Sequence, residues 1–372
     1  MYDNKARIFT ILIIIALVFS FFTIYISSAQ GPGLSARAAS LYEPETDTFI
    51  YTKNENERLS MASTTKIMTA LIALENIDFD KLIEIPKEAV GIEGSSLYLE
   101  EGEILTAESL VYGLMLRSAN DAATALAIEI SGSVEAFSEL MNERAREIGL
   151  SDTSFKNPHG LDDEGHFTTA HDLAKITAEA LKNENFKKIC SCYKKEIESS
   201  KKFQLVVNHN KLLKSYEGCI GVKTGYTKKS GRSLVSAAER DGLTLIAVTI
   251  DAPNDWRDHT ELLDLGFSLI EKKALAAVGE YKFDLPVLDG EESFVTVSNK
   301  DSLSKIFSKN DADFEVNIKL NRYFAAPILK GDVLGEIIFT KDGKEIARLP
   351  LTADKDVNKK AKKGFFSFLK KD

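Results

Sequence analysis

The chain has 372 residues, 44% hydrophobic and 28% charged, which excludes a disordered or low-complexity protein and leaves room for more than one domain. Its formal net charge is −9, but residues 1–29 carry +1 and residues 359–372 carry +5, leaving −15 on the rest. An acidic body argues against a nucleic-acid partner, whose phosphates need neutralising cations, and the basic ends point to a membrane instead.

Ile8 to Ile26 form a nearly continuous apolar stretch behind Lys5 and Arg7, followed by the small residues Ser27-Ser28-Ala29. This is the pattern of a secretory signal peptide over residues 1–29. Its apolar core is also long enough for an uncleaved membrane anchor. Either reading puts the body outside the cytoplasm. No Cys follows the stretch, so no N-terminal lipid anchor is expected. Gly31-Pro32-Gly33 then reads as a linker.

Ala38 to Tyr51 predicts a β-hairpin turning through Pro44-Glu45-Thr46-Asp47. Met61 to Glu75 predicts a helix that is apolar on most faces and therefore buried. Helices follow at 108–116, 121–130 and 133–148, the last ended by Gly149. Asn157-Pro158-His159-Gly160 is a turn, and 169–182 is helical again. Gly221 to Gly225, Ser233 to Ala238 and Thr244 to Ile250 read as strands, the last two joined by the hairpin signal Asp241-Gly242. A closing helix is expected over Glu261 to Glu271. Helices in the middle with strands at both ends imply an α+β fold, in which an antiparallel sheet is covered by helices beside a helical subdomain.

From about Lys273 the apolar period changes to two, as in Phe294–Val297, Phe314–Leu320, Leu334–Phe339 and Glu345–Leu349. These are half-buried strands of a small all-β domain. It holds no catalytic cluster and reads as a spacer or interaction module. The tail, 355–372, sets Phe365, Phe368 and Leu369 on one helical face among lysines. That is the pattern of a helix lying on an anionic membrane surface.

Cys190, Cys192 and Cys219 are too few for a disulfide framework and are expected as buried or idle thiols. The five histidines are scattered, and no spacing suggests zinc, so no metal or cofactor is expected.

Ser63-Thr64-Thr65-Lys66 opens the apolar helix at 61–75. Residues three apart on a helix are neighbours, so Ser63 and Lys66 can touch. A lysine inside an apolar helix must find a partner or lose its proton. A neutral amine beside a serine can take the hydroxyl proton and activate it as a nucleophile. Ser118-Ala119-Asn120 alone is compatible with a capped helix start; read as extended, it aims Ser118 and Asn120 into one cleft. Lys223-Thr224-Gly225 on an inner strand offers a charge and a hydroxyl to a carboxylate, with Gly225 leaving space for a substrate chain alongside. The three motifs together form the signature of penicillin-recognising serine acyl enzymes.

The sequence resembles the serine-type D-alanyl-D-alanine carboxypeptidases, the low-molecular-weight penicillin-binding proteins, from about Ala38 to the end. Pro158-His159-Gly160-Leu161 and Asp255-Trp256-Arg257-Asp258-His259 match the family as well. The resemblance implies a β-lactamase/transpeptidase-like catalytic domain over 36–272, a small β-sandwich-like domain over 276–352, and the basic tail. It implies Ser63 as acyl-ester nucleophile, Lys66 as proton acceptor and Ser118 as proton shuttle. Asn120 would hold the substrate amide, while Lys223, Thr224 and Gly225 would line the site for the terminal carboxylate. Backbone N–H groups of Ser63 and Tyr226 would form the oxyanion hole. The implied partners are the peptidoglycan stem peptide, β-lactam antibiotics as covalent inhibitors, and the outer face of the membrane. His209, between Asn208 and Asn210, stands where some relatives carry Arg.

A class A β-lactamase shares the motifs but has Ser-Asp-Asn and a separate glutamate for deacylation; here Ala119 fills the middle position. Transpeptidation or endopeptidation would use the same acyl-enzyme. A silent wall-binding scaffold would not need the intact motifs.

Overall fold

The computed structural model describes residues 32–361 except residue 312. The signal or anchor segment and most of the basic tail lie outside the described residues.

The hairpin pairs β1 (Ala38–Glu43) with β2 (Thr48–Lys53). The Glu43 carboxylate accepts from the backbone N–H groups of Glu45 and Thr46, both at 2.7 Å, which tightens the turn. Then come α1 (Lys66–Asn76), α2 (Ala107–Tyr112), α3 (Asn120–Ser131), α4 (Val134–Glu147), α5 (Ala170–Leu181) and α6 (Glu184–Ser191). Side chains of Thr106, Ser133, Thr169 and Asn183 cap four of these helices by accepting backbone N–H groups of the first turn. β3 (Cys219–Thr227), β4 (Gly231–Arg240) and β5 (Leu243–Ile250) precede α7 (Asp255–Leu269).

The sheet runs β2-β1-β5-β4-β3 and is antiparallel throughout, so strands from both chain ends share it. β1 and β5 are near-continuous apolar runs because both sheet faces are covered. Val222, Val235, Ile246 and Val248 pack against α1 and its neighbours. Leu41, Leu234, Leu245 and Ala247 pack against Leu262, Leu263 and Phe267 of α7. β3 is an edge strand of this sheet.

The later strands form a six-stranded sheet in the order Glu315–Leu320, Val333–Lys341, Lys344–Ala353, Phe294–Ser298, Lys282–Leu288, Phe324–Ala325. Ile270–Ala276 pairs separately with Leu303–Ser308. Val295, Val297, Ile337, Phe339 and Leu351 fill the core between them.

Four expectations shift. The closing helix starts at Asp255 instead of Glu261 and gives way to a strand at Ile270, because Asp255-Trp256-Arg257-Asp258-His259 is its first turn. The helix at 108–116 divides into α2 and a π-helical turn over Gly113–Arg117. α6 and the hairpin Lys194–Glu198/Phe203–Val207 were not anticipated. Val357 is buried and bridges to Ile328, and Lys359 bridges to Gly290, so the β region extends into the first residues expected for the tail.

Candidate active site

The Ser-Thr-Thr-Lys motif occupies a 3₁₀ turn, Ala62–Thr65, that runs straight into α1. Thr64 and Thr65 hydroxyls donate to the carbonyls of Met61 (2.6 Å) and Ala62 (2.8 Å), tying the tight turn to its own backbone. Lys66 is the first residue of α1 and is fully buried. Its Nζ lies 3.0 Å from Ser63 Oγ, 2.7 Å from Asn120 Oδ1 and 2.5 Å from the His159 carbonyl. Burial, reinforced by the charge of Lys223, holds this amine well below the ordinary lysine range. A neutral amine has two hydrogens and one lone pair. Asn120 Oδ1 and the His159 carbonyl can take both hydrogens, which leaves the lone pair to accept from the Ser63 hydroxyl.

Ser118 ends the π-helical turn in the left-handed region, at φ 62° and ψ 32°. The expected extended loop is therefore replaced by a kink, with Ala119 extended and Asn120 already the first residue of α3. The kink still brings the two side chains to one place. Ser118 Oγ lies 3.0 Å from Lys223 Nζ, and Asn120 bridges Lys66 to the Glu93 carbonyl. Lys223 is buried, and its Nζ also donates to the Thr224 carbonyl at 2.8 Å. Burial pushes its amine down to about 7.

Gly225 has a different local reason from the one expected. A Cβ there would sit 3.2 Å from Ser63 N, Ala62 Cβ and the Met61 carbonyl. Glycine lets β3 press against the nucleophile's turn, which brings the strand close to the Ser63 N–H. Tyr226, next in the strand, is exposed.

Ser63, Ser118, Thr224, Gly225 and Tyr226 share one cleft of 580 Å³, joined by Ser95, Asn208, His209, Lys211, Arg232, Asp255 and Trp256. The structure thus gathers all the expected residues, with Lys66, Asn120 and Lys223 behind the wall in contact with that set. His209 lines the cleft, and burial lowers its pKa.

Sequence reasoning assigned no role to three supports. Gly160 (φ +86°) lets the Pro-His-Gly-Leu loop close on the turn, for a Cβ there would lie 1.9 Å from the Ala62 carbonyl oxygen. Thr69 Oγ1 donates to the Pro158 carbonyl at 2.6 Å, and the buried His166 contacts Thr65 Oγ1 at 2.8 Å. Asp121 accepts from the Leu97 and Leu99 N–H groups and from Ser96 Oγ, fixing the loop beside Ser95. The Pro-His-Gly-Leu text was the available signal for the first. Nothing in the sequence pairs Asp121 with 96–99. His259, also buried, sits between Ser236 and Thr249 beneath the sheet. The three cysteines are free thiols, with Cys190 buried.

A family model for D-alanyl-D-alanine carboxypeptidase matches residues 26–254, and one for the penicillin-binding protein 5 C-terminal domain matches 271–359. The chain belongs to the D-alanyl-D-alanine carboxypeptidase family. It is 37% identical to the D-alanyl-D-alanine carboxypeptidase DacF of Bacillus subtilis (strain 168), covering 90% of this chain and 88% of that one. It is 30% identical to DacC of Escherichia coli (strain K12), over 91% and 88% of the two chains. Among solved structures it resembles penicillin binding protein 5 from Haemophilus influenzae, with a TM-score of 0.65 and 28% identity over 88% of this chain and 99% of the other. The Streptomyces K15 DD-transpeptidase is 33% identical, with a TM-score of 0.61 over 64% of this chain and 99% of its own. The carboxypeptidase family fold accounts for both the helix-covered sheet and the all-β region that follows it.

Proposed function

We infer that this protein is a serine D-alanyl-D-alanine carboxypeptidase that removes the terminal D-alanine from peptidoglycan stem peptides and is acylated by penicillins. The observation that carries the reading is the buried Lys66 amine, whose hydrogens have two other acceptors, 3.0 Å from Ser63 Oγ. Ser63 Oγ attacks the carbonyl carbon between the two D-alanines while its proton passes to Lys66 Nζ. The carbonyl electrons become an oxyanion, held by the Ser63 and Tyr226 N–H groups. The intermediate collapses to an ester as the C–N bond breaks, and the leaving amine takes a proton through Ser118. Water then cleaves the ester and restores the Ser63 hydroxyl. Asn120 also holds the substrate amide, and Thr224 offers its hydroxyl to the carboxylate end.

An extracytoplasmic setting at the cell wall agrees with this family. Export by residues 1–29, and peripheral attachment to the outer membrane face through the basic tail, belong to the same proposal. Both segments lie outside the described residues apart from the tail's first few. Among the described residues no helix is long and apolar enough to cross a membrane.

The test is D-alanine release from an acyl-D-Ala-D-Ala peptide together with labelling by a fluorescent penicillin. The wild type should do both, and Ser63→Ala neither. Labelling that survives Ser63→Ala would reject Ser63 as the nucleophile. The likeness to a DD-transpeptidase makes an added amine acceptor a useful second arm, since transpeptidation would divert the acyl group to it.

A further inference from the structure

The carboxylate end of the substrate needs a cation that faces the cleft. Lys223 is a poor fit. Its side chain is buried, and its amine already donates to Ser118 Oγ at 3.0 Å and to the Thr224 carbonyl at 2.8 Å. It does not line the cleft, whereas Arg232 does, together with Ser63, Thr224 and Trp256.

Arg232 stands opposite Tyr226 in the β3–β4 pairing, one residue pair from Gly225. Its side chain is 43% exposed and forms an ion pair with Asp255, itself only 3% exposed, at 3.0 Å. Asp255 is fixed in turn by accepting the Trp256 N–H at 2.9 Å, and the Arg232 guanidinium stands 5.9 Å from the centre of the Trp256 ring. A guanidinium carries five N–H donors, more than one carboxylate oxygen engages. The seat on Asp255 and Trp256 therefore orients a permanent charge toward the cleft and leaves donors over. Guanidinium geometry suits two-point recognition of a carboxylate.

We propose that Arg232, seated on Asp255 beside Trp256, receives the free carboxylate of the substrate together with Thr224, and that Lys223 serves Ser118 instead. This rests on the peptidase reading and assigns the charge that selects a free C-terminus. Besides Asp255, the charged or titratable groups near Arg232 include Tyr226 on β3, His209 and Lys211 on the facing loop, and Arg257 in the first turn of α7.

The experiment compares kcat/KM for an acyl-D-Ala-D-Ala peptide with that for its C-terminal carboxamide. The wild type should prefer the carboxylate by about tenfold to a hundredfold, the range of a charged hydrogen-bonded contact. Arg232→Gln should collapse that ratio, chiefly through KM, and Arg232→Lys should restore part of it. The wild type alone supplies a second readout that no folding defect can obscure. With Arg232 as the receptor, the ratio stays flat between about pH 6 and 9, because the guanidinium does not titrate there. With Lys223 as the receptor, it would fall as pH rises through about 7. A ratio that titrates there, or that survives in folded Arg232→Gln, overturns the assignment while leaving the peptidase intact. A wild type that releases no D-alanine from either peptide overturns the peptidase reading and this assignment with it.

Discussion

Gly160→Ala probes how far the nucleophile depends on the loop behind it. The new Cβ would fall 1.9 Å from the Ala62 carbonyl oxygen, 2.5 Å from its carbon and 2.8 Å from Thr65 Oγ1. Two of those atoms are backbone of the very turn that carries Ser63, so neither side can yield by rotating a side chain. The φ of +86° adds strain for any residue with a Cβ. Left-handed backbone costs roughly 1–2 kcal/mol and overpacking about 1–3 kcal/mol, so a destabilisation of about 3 kcal/mol is expected.

The loop must retreat by an ångström or so, and the His159 carbonyl moves with it. That carbonyl is one of the two acceptors that leave the Lys66 lone pair to Ser63. A misplacement of this size costs on the order of a hundredfold in rate. Stopped-flow acylation by a fluorescent penicillin and urea unfolding measure the two effects together. Acylation within about threefold of wild type, in a variant as stable as the parent, would refute the idea that this loop positions Lys66.

Gly225→Ala presses 3.2 Å contacts onto Ser63 N and its turn, which must give by a few tenths of an ångström. Acylation should slow by about tenfold with a stability loss near 1 kcal/mol, read by the same two assays. Asp121→Ala strips the Leu97 and Leu99 N–H groups and Ser96 Oγ of their acceptor. It should cost about 3 kcal/mol in urea unfolding, and hydrogen exchange should locate the loss at 96–99.

The sequence made the sheet legible where burial is two-sided or a turn is chemically explicit. β5 reads as Thr244–Ile250, one residue short of the observed Leu243–Ile250, because the run is mostly apolar, and Asp241-Gly242 supplies the positive-φ turn before it. α4 was legible from its amphipathic pattern and the Gly149 stop, and the structure adds that Ser133 and Thr169, where the expected helices begin, cap α4 and α5. α6 escaped because it is a short helix whose buried Phe186, Ile189 and Cys190 are set among lysines and glutamate. The start of α7 escaped because buried Asp255 and Asp258 break the apolar period that marks a helix. In the site, local spacing revealed Ser63 and Lys66, since three residues along a helical turn suffices for contact. The Ser118 kink could not be read, because a left-handed serine at the end of a π-turn is decided by tertiary packing. Arg232 was passed over for a similar reason: Asp255 and Trp256, which seat it, are distant in sequence and meet it only through the sheet.

The two buried lysines set stability against chemistry. In the unfolded chain each titrates near 10.4, while burial depresses both in the folded state. Between the folded and unfolded values the unfolded chain binds more protons, so stability rises with pH and falls as pH drops. For Lys223 that window runs from about 7 upward. Lys66→Met removes the liability at one position, and the two acceptors it abandons, Asn120 Oδ1 and the His159 carbonyl, contribute an offset with no such pH dependence. The stability of Lys66→Met relative to wild type should therefore improve steadily as pH falls from about 10 toward neutrality, while penicillin acylation is lost at every pH. In the wild type, acylation should fail as pH drops through the lowered value of Lys66, because the protonated amine has no lone pair for Ser63. A stability difference that ignores pH would mean that Lys66 is charged in the folded protein, and a charged Lys66 could not be the base.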